Sequence, residues 1–376
     1  MTNQDLLQIA EEFGTPVYVY DADSIKSQYE KLTTSFAEST KFFYACKSLT
    51  NINILKYVEK LGANLDCVSI NEVKLGLKAG FSAERILFTP NCVDLAEIEE
   101  AMALNVHINI DNISILEQFG TKYGDSYPVF LRINPHIFAG GNYKISTGHI
   151  DSKFGISIHQ MRHIERVMKS TNLNIEGLHM HTGSEIKDPE VFLQGLEIMF
   201  ELSESFPNLK YIDMGSGFKV PYQKGELETD VKALGKKVEK AVTQFKKETG
   251  KDFELWFEPG KYLVSKSGHF LVKSNVIKQT TATVFVGVNS GFNHLIRPMF
   301  YDSYHVIENL TNPKGTERIY TVVGNICETD TFAWDRKLHE VREGDVLVFR
   351  NAGAYGFEMS SNFNSRLKPA EVLFLD

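Results

Sequence analysis

Lys47 closes the apolar run Phe42-Phe43-Tyr44-Ala45-Cys46, and a lysine in partly apolar surroundings has a lowered pKa and an amine free to attack a carbonyl carbon. Asp66 and Glu72 stand at and beyond the end of a second short run, His179 and His181 at the end of a later one, and Gly215-Ser216-Gly217 after the next. The series ends in Glu258-Pro259-Gly260-Lys261. Backbone amides in a glycine-bearing turn can cradle a phosphate, and a carboxylate can hold a protonated ring nitrogen. A lysine that forms a Schiff base, a phosphate cradle and an acid for a pyridinium nitrogen are together what a pyridoxal phosphate site requires.

Each of these residues also has a plainer reading. Lys47 is one lysine among many, and histidines near strand ends are commonly hydrogen-bonded core residues. Gly215 and Gly217 can simply permit a turn. A second cluster follows: Arg297-Pro298-Met299-Phe300-Tyr301, Cys327-Glu328-Thr329-Asp330, Asp335-Arg336 and Ala352-Gly353-Ala354-Tyr355-Gly356. Cys327 read alone is a small buried hydrophobe, the usual fate of a free cysteine, and Arg336 a surface ion pair. Residue chemistry by itself assigns this second cluster no role.

The elements that must position the first set are legible as short β-branched and aromatic runs alternating with longer amphipathic stretches. The runs predict strands over residues 42–45, 64–67, 85–88, 106–110, 129–133, 175–179, 209–214 and 254–257. Helix-like segments lie between most of them, over 51–61, 70–79, 113–123, 158–170, 190–205 and 229–249. Such alternation is the arithmetic of an α/β fold of the (β/α)8 TIM-barrel type. A doubly wound open sheet would share it, but no Gly-x-Gly-x-x-Gly turn follows the first strand. In a barrel the chemistry sits at the C-terminal ends of the strands, where the lysine, the histidines, the glycine turn and the acids all fall. Beyond Lys261 the texture changes to strand-like runs at 269–278, 282–288, 318–323, 345–350 and 370–374. The expected organisation is a barrel over 25–261 and a C-terminal β domain over 262–376, with residues 1–24, through the run 16–20, added to its sheet.

Hydrophobic residues make up 43% and charged residues 23%, the balance of a soluble globular protein with a sizeable core. Against 48 acidic residues stand 40 basic ones, giving a net charge of −8 with no basic run, which argues against a nucleic-acid partner. The N-terminus lacks the basic start and apolar stretch of a secretory signal, and no stretch approaches the roughly 18 apolar residues of a membrane span. Cys46, Cys67, Cys92 and Cys327 lack metal-ligand spacing. They read as free thiols of a cytoplasmic protein with no metal site.

The motifs Tyr44-Ala45-Cys46-Lys47, Ser152-Lys153-Phe154-Gly155, Gly177-Leu178-His179-Met180-His181-Thr182-Gly183-Ser184, Asp213-Met214-Gly215-Ser216-Gly217 and Glu258-Pro259-Gly260 occur in that order. Arg297-Pro298, Cys327-Glu328 and the closing run from Ala352 to Glu371 follow. Over nearly its whole length the chain resembles the fold-type III pyridoxal-phosphate decarboxylases, the group of ornithine, arginine and diaminopimelate decarboxylases. The stretch 179–184 and the ending Asn364-Ser365-Arg366-Leu367-Lys368-Pro369-Ala370-Glu371-Val372 look most like the diaminopimelate branch.

The resemblance implies that Lys47 carries pyridoxal 5'-phosphate, that His181 stacks on its ring, that Asp66 steadies the site around the lysine and that Glu258 pairs with the ring nitrogen. It puts Ser184, Gly217, Gly260 and the Tyr355 hydroxyl on the phosphate, with Lys261 beside them and Tyr355 also next to the substrate. Arg297 and Tyr301 are implied to grip the distal carboxylate of an amino-acid substrate, and Glu328 to face its distal ammonium. Cys327 is implied to protonate the α-carbon after carbon dioxide leaves. The implied reaction is meso-diaminopimelate to L-lysine and CO2, the last step of lysine biosynthesis. The implied assembly is a homodimer in which Cys327 and Glu328 reach the opposite subunit's site.

Three positions depart from the family pattern. Ser216 stands where three successive glycines are usual. Lys261 replaces an arginine and loses its fork. Asn325, in Gly324-Asn325-Ile326, stands where Gly-Pro precedes the cysteine. The nearest rival reading is a related decarboxylase acting on carboxynorspermidine or a basic amino acid. A racemase would need a second base rather than a Cys-Glu pair, and a non-enzymatic pyridoxal-phosphate carrier resembles the barrel alone.

Overall fold

Eight short runs, buried along most of their length, pair in parallel to make a ring. They are Lys41–Ala45, Asn64–Cys67, Ile86–Phe88, His107–Ile110, Val129–Asn134, Ile175–His179, Tyr211–Asp213 and Glu254–Phe257, and Trp256 returns to Lys41 to close it. The computed structural model describes residues 1–137, 148, 152–183, 186 and 189–375. Its chain divides into a unit of Gln28–Val220 and Leu227–Gly260, which holds this barrel, and a unit of Met1–Ser27, Pro221–Glu226 and Lys261–Asp376. Every strand expected in the barrel is present, and the fold is the (β/α)8 type joined to a β domain. No helix among the described residues is long and apolar enough to cross a membrane.

The helices around the ring begin where the sequence supplies caps. Asn51, Ser69, Asp94, Asn112 and Asp230 each accept a hydrogen bond from a backbone amide two or three residues on, opening Ile52–Lys60, Ile70–Ala79, Leu95–Ala103, Ile113–Tyr123 and Val231–Thr249. Leu95–Ala103 escapes the periodicity reading because it is short and acidic; its cap, Asp94, was the available signal. Glu72 proves to belong to a cap as well: its Oε2 accepts the Val68 amide at 2.7 Å, while its own amide bonds Ser69.

Side chains alternate faces along a strand, so every second residue points into the barrel. One inward layer is aromatic. Phe43, Leu87, Phe130 and Trp256 cluster with Tyr211, and the Trp256 ring lies 4.3 Å from Phe43, 4.4 Å from Tyr211 and 5.0 Å from Phe130. Gly177 belongs to this layer and is bare because a β-carbon there would run into the Phe130 ring. Two residues further along the same strands come Thr89, Arg132, His179, Asp213 and Glu258, joined by Asp66 and Asn109 from their neighbours, and all are buried. A polar layer therefore lies on an apolar plug, and it can persist only if its members satisfy one another.

In the other unit the hub is the long strand Gly268–Gln279. Val17–Asp21 pairs with its first half and Val346–Phe349 with its opposite edge, while Val284–Val288 takes its second half after a register shift between Ser274 and Val276. Glu317–Val323 and Thr331–His339 extend the sheet on one side, Ile307–Asn309 on the other, and Ala370–Phe374 runs parallel to Val17–Asp21. Helix Asn3–Phe13 packs Leu6, Ile9 and Ala10 over Val17, Val19, Leu271 and Val348. The sequence reading assigns no strand to Thr331–His339. Asp335, Arg336 and Lys337 interrupt its alternation, and Asp335 has a left-handed φ of 48°.

Candidate active site

Lys47 lies in the 3-10 turn Cys46–Ser48 directly after the first barrel strand, where its Nζ donates to Asp66 Oδ2 at 2.8 Å. Its side chain remains 38% exposed, so the amine is both fixed and reachable. Asp66 is fully buried and takes a second bond from the Thr89 hydroxyl. Burial and the nearby Glu258 raise its carboxyl, and the bonds from Lys47 and Thr89 only partly offset them. Arg132 brings a second cation to the layer, its guanidinium 4.7 Å from the Phe154 ring centroid. Burial lowers the Arg132 pKa, while Glu258, Asp111, Asp66 and Asp213 support its charge.

Glu258 follows the eighth strand. Its Oε2 is 3.2 Å from His179 Nε2, and His179 Nδ1 is 2.6 Å from Asn109 Nδ2. Burial pushes the Glu258 carboxyl up, but His179, Lys47 and His181 outweigh it and hold the group below the usual carboxylate range. Glu258 is thus a buried anion, and among the described residues nothing donates to its Oε1.

His181 stands two residues beyond His179, and the Ser216 amide donates to its Nδ1 at 3.1 Å. Burial, then the Arg132 and Lys47 charges, push its pKa down to about 3. Between about 3 and the ordinary 6.5 the unfolded chain binds a proton that the folded chain does not, so stability from this group is complete above 6.5 and is lost as pH falls toward 3. The His181 ring resonances, assigned by their loss in His181→Phe, are expected not to titrate between pH 5 and 8. A midpoint near 6.5 would show that the ring is not held neutral.

The turn after the seventh strand is shaped by contact as well as by φ. Gly215 and Gly217 have φ of 62° and 129°; a β-carbon would lie 2.6 Å from Met180 O at the first and 2.8 Å from Gly183 O at the second. The amide that fixes His181 belongs to the middle residue of this turn, Ser216. Gly260 is buried in the barrel unit, and Ser184 lies outside the described residues.

In the β unit, Arg297 opens the short helix Arg297–Tyr301 and is buried. Its guanidinium lies 5.5 Å from the Tyr222 ring, 5.8 Å from Tyr301 and 6.0 Å from Tyr355. Nη2 donates to Ser303 at 3.3 Å, while the buried Nε has no acceptor among the described residues. A cation beside three aromatic rings with a spare donor has the chemistry to hold an anion. Tyr355 is held in the left-handed region at φ 56°, a strained setting for a bulky residue. Lys261 is buried at the start of Lys261–Val264.

Cys327 is exposed, not the buried hydrophobe that its residue type suggests, and Glu328 beside it is exposed too. Their loop is pinned by Asp330, whose carboxylate accepts the amides of Phe292 at 2.6 Å and Ile326 at 2.9 Å. The Asn325 backbone amide donates to Ser290 O at 2.9 Å, a bond that a proline at this position could not make. Arg336 lies over the Tyr304 ring at 3.5 Å, a stacked setting rather than the surface ion pair expected of it.

Sequence reasoning missed Thr89, Asn109, Arg132 and Asp213. Their signal was positional: a polar residue two places after an inward aromatic or apolar residue, repeated from strand to strand.

A family model described as the pyridoxal binding domain of pyridoxal-dependent decarboxylases matches residues 22–265. The diaminopimelate decarboxylase of Methanothermobacter thermautotrophicus is 36% identical, over 98% of this chain and 89% of that one. The Campylobacter jejuni diaminopimelate decarboxylase is 35% identical, over 98% and 92%. A crystal structure of diaminopimelate decarboxylase from Helicobacter pylori complexed with L-lysine superposes with a TM-score of 0.91 at 30% identity, covering 100% of this chain and 94% of that chain.

Proposed function

The chain belongs to the pyridoxal-dependent decarboxylase family, and we propose that it converts meso-diaminopimelate to L-lysine and CO2 as a cytoplasmic homodimer using pyridoxal 5'-phosphate. Glu258 carries the reading: it is a buried anion with an oxygen, Oε1, for which the described residues show no hydrogen bond, and a carboxylate with acceptor positions to spare suits a protonated ring nitrogen. The rest of the barrel rim suits the same group, with a reachable amine at Lys47, a neutral ring at His181 and a glycine-bearing turn at Gly215–Gly217.

When bound, pyridoxal phosphate supplies an electron sink for the pair left behind as CO2 departs. Lys47 would hold its aldehyde carbon through Nζ, with Asp66 keeping the amine in place. Glu258 would favour positive charge on the ring nitrogen, because an adjacent anion stabilises the charged form. His181 would lie on the ring without adding a cation. Gly217, Gly260, Ser184, Lys261 and the Tyr355 hydroxyl would receive the phosphate. At the far end of the substrate, Arg297 and Tyr301 would grip the second carboxylate, with Tyr355 alongside and Glu328 facing the ammonium. Once the bond to the α-carboxylate has broken, Cys327 Sγ–H would return a proton to the α-carbon.

Carbon dioxide release from a panel of meso-diaminopimelate, L-lysine, L-ornithine, L-arginine and carboxynorspermidine tests the substrate. Release from the first alone is expected; comparable kcat/KM on a basic amino acid would replace this reading with the rival one. Arg297→Lys is expected to cost about 1.5–3 kcal/mol in kcat/KM for diaminopimelate, the scale of a hydrogen bond to a charged group. Affinity for 1,5-diaminopentane, which has no carboxylate to grip, should change far less. Equal losses for both ligands would make Arg297 a structural residue.

A further inference from the structure

We propose that Asp213 is a neutral carboxylic acid that keeps its proton and donates a hydrogen bond through it to the Glu258 carboxylate, and so positions the group facing the cofactor's ring nitrogen; the cofactor part of this rests on the function read above. His179, Asp213 and Glu258 are all buried, and each places a nitrogen or oxygen within 4.8 Å of the others. Two of the three are carboxyls, Asp213 at 0% exposure and Glu258 at 5%. Two carboxylates this close and this far from water do not both ionise, so one carries a proton.

The surroundings decide which one. Glu258 has the imidazole of His179 on Oε2 at 3.2 Å, whereas among the described residues the donor to the Asp213 carboxyl is the neutral Gly215 amide, on Oδ1 at 2.8 Å. Burial and the Glu258 charge accordingly hold the Asp213 carboxyl well above its usual range, while Glu258 stays below its own. Each carboxyl also keeps one buried oxygen that no described residue bonds, Oδ2 of Asp213 and Oε1 of Glu258. A hydrogen on Asp213 Oδ2, aimed at the Glu258 carboxylate, gives the first a role as donor and the second side chain a second partner. A carboxylate has about four acceptor positions, so Glu258 held by His179 and Asp213 is fixed in rotation and still accepts from a ring nitrogen. The backbone ties the pair further, because the Glu258 amide donates to Gly215 O at 2.6 Å.

Asp213→Asn copies the neutral acid: its Oδ1 still accepts from Gly215 and its Nδ2–H replaces the hydroxyl donor. Asp213→Ala removes the donor. Infrared spectra of the apoprotein at neutral pH, with and without isotope-labelled aspartate, should show the carbonyl band of a protonated aspartic acid, and both variants should lose it. Cofactor affinity should stay within about threefold of wild type in Asp213→Asn and fall about tenfold or more in Asp213→Ala, the scale of an unsatisfied buried charge. A wild-type spectrum without that band, or an asparagine variant as weak as the alanine one, overturns the proposal. The infrared measurement needs neither cofactor nor substrate, so it decides the state of Asp213 even if Asp213→Ala misfolds. A wild-type protein that binds no pyridoxal phosphate would count against the proposed function instead.

Discussion

Lys47→Ala is expected to lower kcat on diaminopimelate by a factor on the order of 10,000 or more, the scale seen when a covalent catalytic group is removed. Among the described residues, geometry sets this lysine apart from Lys261. It leaves the first barrel strand at the rim, is anchored by a buried aspartate at 2.8 Å, and is reached from solvent. Lys261, the nearest competitor in sequence logic, begins a short helix in the other unit and is buried. Borohydride treatment of the cofactor-loaded protein should therefore attach the cofactor irreversibly to one lysine, and peptide mapping should find it on Lys47. A label on Lys261, or no label at all, would move the site elsewhere. Because Asp66 gains its anchor from Lys47, the alanine variant also leaves a buried carboxyl short of a donor, so folding is to be checked by its unfolding curve before the rate is interpreted.

How much of this was legible beforehand follows from burial. Barrel strands are covered on both faces, so many read as unbroken apolar runs, and residues 42–45 or 86–88 stand out against polar surroundings. The ends of those strands were equally legible, which is why Lys47, His181, Gly217 and Glu258 could be named together. Arg132, Asn109 and Asp213 were not, because in sequence each is an ordinary polar residue at the edge of a run. Only closure of the ring turns that edge inward and makes each side chain a partner of the others. The β unit was harder for a related reason. Thr331–His339 carries three successive charged residues, and its strand character comes from pairing with Glu317–Val323, a partner no local pattern reveals. The exposure of Cys327 is likewise a property of its loop, set by Asp330 and Asn364 rather than by residue type.

Co-expressed Lys47→Ala and Cys327→Ala chains should recover about a quarter of wild-type activity although neither variant alone is competent, if each active site takes its lysine from one subunit and its thiol from the other. The motivation is physical. The barrel rim already supplies the lysine, the ring and the acid that would hold the cofactor's reactive part, whereas Cys327 and Glu328 are exposed on a pinned loop of the other unit. A thiol kept at the surface can act in a site only if something brings a substrate against it, and a second copy of the chain would do so. In each homodimer both sites carry the same lesion: no lysine in one case, and in the other no proton donor, a loss of about 100-fold or more for a general acid. In the heterodimer both lesions fall in one site and the other is intact. With equal mixing about half the dimers are of this kind, each with one working site of two, which gives about a quarter of the full rate. Co-expression with two different affinity tags isolates the heterodimer, whose specific activity should then approach half that of wild type. If heterodimers purified in this way remain as inactive as the parents, Lys47 and Cys327 serve the same site from the same chain.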